Sequence, residues 1–128
     1  MSGSGRLGVG MAAAMAAYML FNAFAAWTDP FGFAQRLGLP APTPEAFGWI
    51  GVYALRAAFI GLVLAALVLA RQWRALFLLA TAALIMPLGD AMLTYAAGSP
   101  AYLRHIAIAG VVGLSALLLA QAANTGGK

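Results

Sequence analysis

Cysteine is absent from this 128-residue chain, histidine occurs once, and acidic side chains number three. Without cysteine there is no disulfide, no thiolate metal site and no cysteine nucleophile. One histidine cannot complete a two-histidine, one-carboxylate metal set. Charged residues make up only 8% of the chain, against about 25% in an ordinary soluble domain. Disorder is excluded as well, because 64% of the residues are hydrophobic and mean hydropathy is +0.92. No glycine-rich phosphate loop occurs, and neither Ser99 nor Ser115 is placed for a Ser–His–Asp triad.

What is there is apolar sequence in long runs. A helix needs about 20 apolar residues to cross roughly 30 Å of hydrocarbon. Four stretches meet that length, at about 7–27, 47–70, 75–97 and 101–122. The expected fold class is therefore all-α: one transmembrane domain over residues 1–128, built as a four-helix bundle. Arg6, the apolar run behind it and Ala23-Phe24-Ala25 mimic a signal peptide; the stretch is read as a true span. Ser2 to Gly5 and Asn124 to Gly127 read as flexible ends.

Boundaries have local causes. Thr43-Pro44-Glu45 reads as a cap, a proline at the first helical position and an acid in the first turn, so the second helix is allowed to start at Pro44. Arg71-Gln72-Trp73-Arg74 and Gly98-Ser99-Pro100 interrupt the apolar runs. Asp29-Pro30 opens a short helix in the first loop, with Phe31, Phe33, Ala34 and Leu37 as its apolar face, lying on the membrane surface. Pro40 to Pro44 then forms a stiff connector.

Basic residues set the orientation. Arg6, Arg71, Arg74 and Lys128 fall on one side, Arg36 and Arg104 on the other. Both termini are expected on the cytoplasmic face of a cell inner membrane. The net charge of +4 then reflects topology, and no nucleic-acid partner is expected. Trp27, Trp49 and Trp73 fall near helix ends, as an aromatic belt requires. Small residues at four-residue spacing, Gly10/Ala14, Ala54/Ala58, Ala57/Gly61 and Ala109/Gly113, favour close helix packing.

Four polar residues stand out within the spans: Asn22, Arg56, Asp90 and His105. An ionisable residue there costs about 2.5–3.5 kcal/mol on insertion scales and usually faces the bundle interior. All four lie in the half of the bundle nearest the first loop, one per span, at roughly 6–14 Å from that end. A helical Cα–Cβ bond tilts toward the N-terminus. Arg56 and Asp90 therefore lean toward each other, which predicts an ion pair. His105 leans the other way, toward the mouth of any cavity. Tyr53, Thr94, Tyr18 and Tyr102 extend these faces at helical spacing, as do Met11 and Met15. Pro87 weakens the helix one turn before Asp90.

Several short motifs are shared with small bacterial and fungal membrane proteins. They are Leu37-Gly38-Leu39-Pro40 in the loop, Tyr53-Ala54-Leu55-Arg56 with Gly61, Pro87-Leu88-Gly89-Asp90, and His105. Over about residues 28–120 the chain resembles four-helix proteins grouped as a domain of unknown function, broadly DoxX-like. Such families often carry an acid directly after the arginine, where this chain has Ala57. The resemblance implies a compact membrane unit with the Arg/Asp/His set as its signature, and no established activity.

The leading expectation is a pocket inside the bundle that binds, and in an enzymatic version transforms, a lipophilic small molecule. Asp90 and His105 would be its acid/base pair. Arg56 would anchor an anion or carbonyl, and Asn22, Tyr53, Thr94, Tyr18 and Tyr102 would orient the ligand. No cofactor and no metal site is assigned. The alternatives are a subunit of a homo-oligomer or larger membrane complex, locked by Arg56 and Asp90, and a proton-coupled transporter.

Overall fold

The computed structural model describes residues 3–38 and 43–125. Leu39 to Pro42, Lys128 and the last glycines lie outside the described residues, and with them most of the proline connector and part of the loop motif. Six α-helices follow in order: α1 Gly3–Thr28, α2 Pro30–Leu37, α3 Phe47–Leu69, α4 Trp73–Ala83, α5 Ile85–Ala96 and α6 Tyr102–Thr125. A 3-10 turn at Pro44–Ala46 leads into α3, in line with the proline-initiated start. No strand occurs among the described residues. α1, α3, α4 with α5, and α6 are each long and apolar enough to cross a membrane. The chain is a small multi-pass integral membrane protein with the architecture of a four-helix bundle.

Helix ends follow their chemistry. Asp29 caps α2, its carboxylate accepting the Gly32 N–H at 2.9 Å. Three helix ends close on a left-handed residue: Gly38 at φ 79°, Arg71 at φ 53° and Gly98 at φ 69°. After α3, Gln72 N–H reaches Leu67 O and Arg71 N–H reaches Val68 O. After α5, Ser99 N–H reaches Thr94 O and Gly98 N–H reaches Tyr95 O. Both are Schellman ends, and only the first uses a residue with a side chain. At Gly38 an added Cβ would also collide with Ala101 and Ser99, so α2 sits directly against the start of α6.

The third span is locally irregular at Leu84, between α4 and α5, although Leu84 keeps right-handed helical angles (φ −58°, ψ −26°). Pro87 has no N–H for the Ala83 carbonyl and crowds the preceding turn. The expected weak point is therefore real, and it falls three residues earlier than the proline itself.

Alanine and glycine make the seams. Gly8, Ala12 and Ala16 of α1 are buried, as are Ala54, Ala57 and Gly61 of α3. A Cβ on Gly61 would lie 2.8 Å from Leu20 and 3.1 Å from the Ala16 carbonyl, and one on Gly8 would meet the Leu118–Leu119 backbone at about 3.0 Å. The α1 seam thus runs through Gly8, Ala12 and Ala16, whereas Gly10 and Ala14 are exposed, Ala14 on the wall of a cavity. Gly3 to Gly5, expected to be loose, belong to α1, and the Ser4 hydroxyl donates to the Gln121 carboxamide of α6. At the other chain end α6 continues through Asn124 to Thr125.

Two clusters divide the core. Ala12, Ala16, Leu64, Leu76, Ala80, Ala116 and Leu119 fill the half nearest the chain termini. Ala25, Ala26, Phe33, Ala34, Ile50 and Ala54 dock α2 onto α1 and α3 at the opposite end. Phe33 and Ala34 carry that docking, while Phe31 is exposed.

Candidate functional site

At the α2 end the bundle is incomplete. α3 packs against α1, α2 and α4, whereas its backbone stays more than 8 Å, Cα to Cα, from that of α5. Between the helices lies a cavity of about 440 Å³, within the 300–1,000 Å³ of ordinary small-molecule sites. Both α3, through Tyr53, Ile60 and Leu64, and α5, through Met86, Pro87 and Asp90, line it. These two walls of the cavity are thus set apart at the backbone.

The lining is graded along the bundle axis. α1 contributes Tyr18 and Asn22 near α2, then Met15 and Met11 farther away. α3 contributes Tyr53, then Ile60 and Leu64. α5 contributes Asp90, and α4 continues with Ala83, Ala80 and Leu79. α6 contributes Arg104 and His105, then Ile108, Val111 and Val112. Every span puts its polar group at the α2 end and apolar side chains beyond. The cavity is amphipathic by construction.

His105 is the best-held member. It is 4% exposed, and its Nε2 lies 3.3 Å from the Leu37 carbonyl at the end of α2. That carbonyl can only accept, so Nε2 carries a proton and donates. Nδ1 faces Asp90 Oδ2 at 3.9 Å, within ion-pair reach and beyond a direct hydrogen bond. The Asp90 side chain is 41% exposed and borders the cavity. The Asp90–His105 pair therefore faces the open volume.

The remaining polar groups differ in how committed they are. The Thr94 hydroxyl is spent on its own helix, donating toward the Asp90 carbonyl at 2.7 Å and the Ala91 carbonyl at 3.2 Å. Thr94 borders a small side recess with Asp90 and His105, not the main cavity. Tyr102 stacks edge-on against Tyr95 at 5.3 Å and lies off the main cavity. Tyr53 leans on Phe33 of α2, ring to ring at 5.1 Å, and stands within electrostatic reach of Asp90 and Tyr18. Arg104 donates to the Arg36 carbonyl, so two neighbouring side chains of α6 hold the carbonyl end of α2. Outside the spans, the Thr43 hydroxyl and its own backbone N–H hold the Glu45 carboxyl below its ordinary range.

The predicted Arg56–Asp90 ion pair is not formed. Arg56 is exposed on α3, and Asp90 has His105 opposite it instead. The tilt of Cβ along a helix sets height, not direction around the axis. α3 packs its Ala54–Ala57–Gly61 face on α1, which turns Arg56 away from that partner. Tyr53 precedes Arg56 by three residues, so the two directions differ by about 60°. His105, expected near a cavity mouth, is instead buried beneath α2.

Two lining groups carried no sequence signal. Leu37 acts through its backbone carbonyl, which no residue type announces. Arg104 was explained by topology alone. Met86 was recoverable, since it precedes Asp90 by one turn on the same face.

No curated protein and no solved structure matches this chain at a significant level. A family model does match, over residues 10–119, which takes in the cavity residues of all four spans. The chain belongs to the family described as a domain of unknown function, DUF4267.

Proposed function

We propose that the protein binds a lipophilic small molecule inside the bundle, polar end toward α2. One observation carries the reading. Polar side chains from four separate spans converge on one end of one apolar cavity, and the Asn22, Tyr18 and Tyr53 side chains there make no hydrogen bond within the described residues. In lipid such groups normally find partners, so unspent donors and acceptors around an open volume favour a ligand. Asn22, Tyr18 and Tyr53 orient its polar end, and Asp90 with His105 exchanges a proton with it. In the half nearest the termini the core is alanine and leucine, which favours binding over proton-coupled transport. We set the chain in a cell inner membrane with both termini inside, on the distribution of its arginines, and keep the DoxX-like kinship as part of this proposal.

Photolabelling tests the reading. A diazirine-bearing long-chain alcohol is added to the protein in zwitterionic nanodiscs, and the labelled residues are mapped by mass spectrometry. Labelling is expected on Met11, Met15 and Met86. Ala83→Phe, which fills the cavity, is expected to abolish it. Label spread evenly over the lipid-facing residues and insensitive to Ala83→Phe would overturn the proposal.

A further inference from the structure

Arg56 is the charged side chain for which the site as described has no use. Its azimuth is informative. Leu67 follows it by eleven residues, so the two lie within about 20° of one stripe on α3. Leu67 packs on the cluster that holds Leu76 and Ala80 of α4. Three turns nearer α2 the same stripe is exposed at Arg56, where the α5 backbone stays more than 8 Å from α3. Arg56 therefore stands beside the gap between the α3 and α5 backbones, about one turn past Tyr53.

The charge inventory points the same way. Arg104 lines the cavity, Arg56 lies on α3 about 60° around from the cavity-lining Tyr53, and Asp90 is the carboxylate that borders the cavity. Asp90 is engaged with His105, and Arg104 is bound to the Arg36 carbonyl. Among the described residues Arg56 is left without a counter-charge, at a depth of roughly 14 Å from the start of α3. An uncompensated guanidinium at that depth is costly, and the usual remedy is an anion.

We propose that the opening between α3 and α5 is the ligand's lateral portal from the bilayer, and that the ligand is an anionic amphiphile. Arg56 holds its acidic head group, a carboxylate or a phosphate, while the chain runs along Ile60 and Met15 into the cavity. A guanidinium matches either head group with paired N–H donors. This rests on the cavity-binding reading above and adds the charge and the route of the ligand.

Three diazirine probes of one chain length separate the two claims: a fatty acid, the matching alcohol and the matching amine, each in zwitterionic nanodiscs. The acid is expected to label the cavity about tenfold more efficiently than the alcohol, and the amine least. Arg56→Gln is expected to bring the acid down to the level of the alcohol and leave the alcohol unchanged. Arg56→Lys is expected to restore most of the preference. Competition by added anionic phospholipid would assign the head group to bilayer lipid, and its absence to a single-chain acid; either result upholds the anion site. Equal labelling by acid and alcohol, both insensitive to Arg56→Gln, would overturn the anion proposal and leave the cavity reading standing. So would a change of oligomeric state in Arg56→Gln without loss of acid preference, which would make Arg56 a subunit contact. No cavity labelling by any probe would overturn both.

Discussion

The two halves of this bundle are built on opposite terms. Near the termini, glycine and alanine bring α1 within backbone contact of α3 and α6, and the interior is filled by leucine and alanine. Near α2, the same four spans carry a tyrosine, an asparagine, an aspartate and a histidine around open volume. The first half gives the cavity its apolar wall, through Leu64 and Ala80, and otherwise serves stability. The second holds the α3 and α5 backbones apart and keeps polar groups within the spans. The contrast teaches that small residues decide where this fold is tight, and that its polar residues collect where it is not.

Breaking the tight half is expected to have the largest effect. Gly61→Leu forces a side chain against the Ala16 carbonyl and Leu20. Overpacking of this kind costs about 1–3 kcal/mol or more, read as a fall in unfolding temperature in detergent. Gly8→Val is expected to act alike, against the α6 backbone. Gly10→Val, in open space one half-turn away, is expected to change nothing.

His105→Ala comes next and tests the open half. It leaves the Leu37 carbonyl and Asp90 without their partner, at about 1–3 kcal/mol. A double-mutant cycle with Asp90→Asn is expected to show coupling above about 0.5 kcal/mol, since the two share one network. Additive losses would mean that the two side chains act separately.

Ser115→Ala is expected to go the other way. Ser115 is fully buried and its hydroxyl has no hydrogen-bond partner. Removing an unpaired buried hydroxyl is expected to be neutral or to stabilise by up to about 1 kcal/mol, measured by thermal unfolding.

The smallest effect concerns the loop. Thr43→Ala removes the hydroxyl that helps hold the Glu45 carboxyl down. The Glu45 titration is expected to move up toward the ordinary value of 4.5, followed by NMR. Because the folded pKa is depressed, that contact contributes above the unfolded pKa and is lost as pH falls through the folded one.

Much of this contrast was legible in the residues. Apolar run lengths identify four spans, and Asp29-Pro30 marks the start of α2 through the cap that the carboxylate makes. The stripe Met11, Met15, Tyr18 and Asn22 shares one helical face, and that face lines the cavity. Gly8, Ala12 and Ala16 have the same four-residue spacing as the pairs picked from the sequence, but in an alanine-rich helix spacing alone cannot choose the stripe. Arg56 was misplaced for a different reason. Its height follows from counting, whereas its partner depends on which helices are neighbours, and that is decided by packing between spans. The role of Leu37 was illegible because a backbone carbonyl has no identity in sequence.

The central claim is that the volume between Asn22, Tyr53, Asp90 and His105 is a ligand site open between α3 and α5. A crystal structure grown from a lipidic mesophase tests it most directly. The account predicts an elongated molecule lying between α3 and α5, its polar end among those side chains and near Arg56. Side chains of α3 packed dry against α5, with the volume closed, would contradict it.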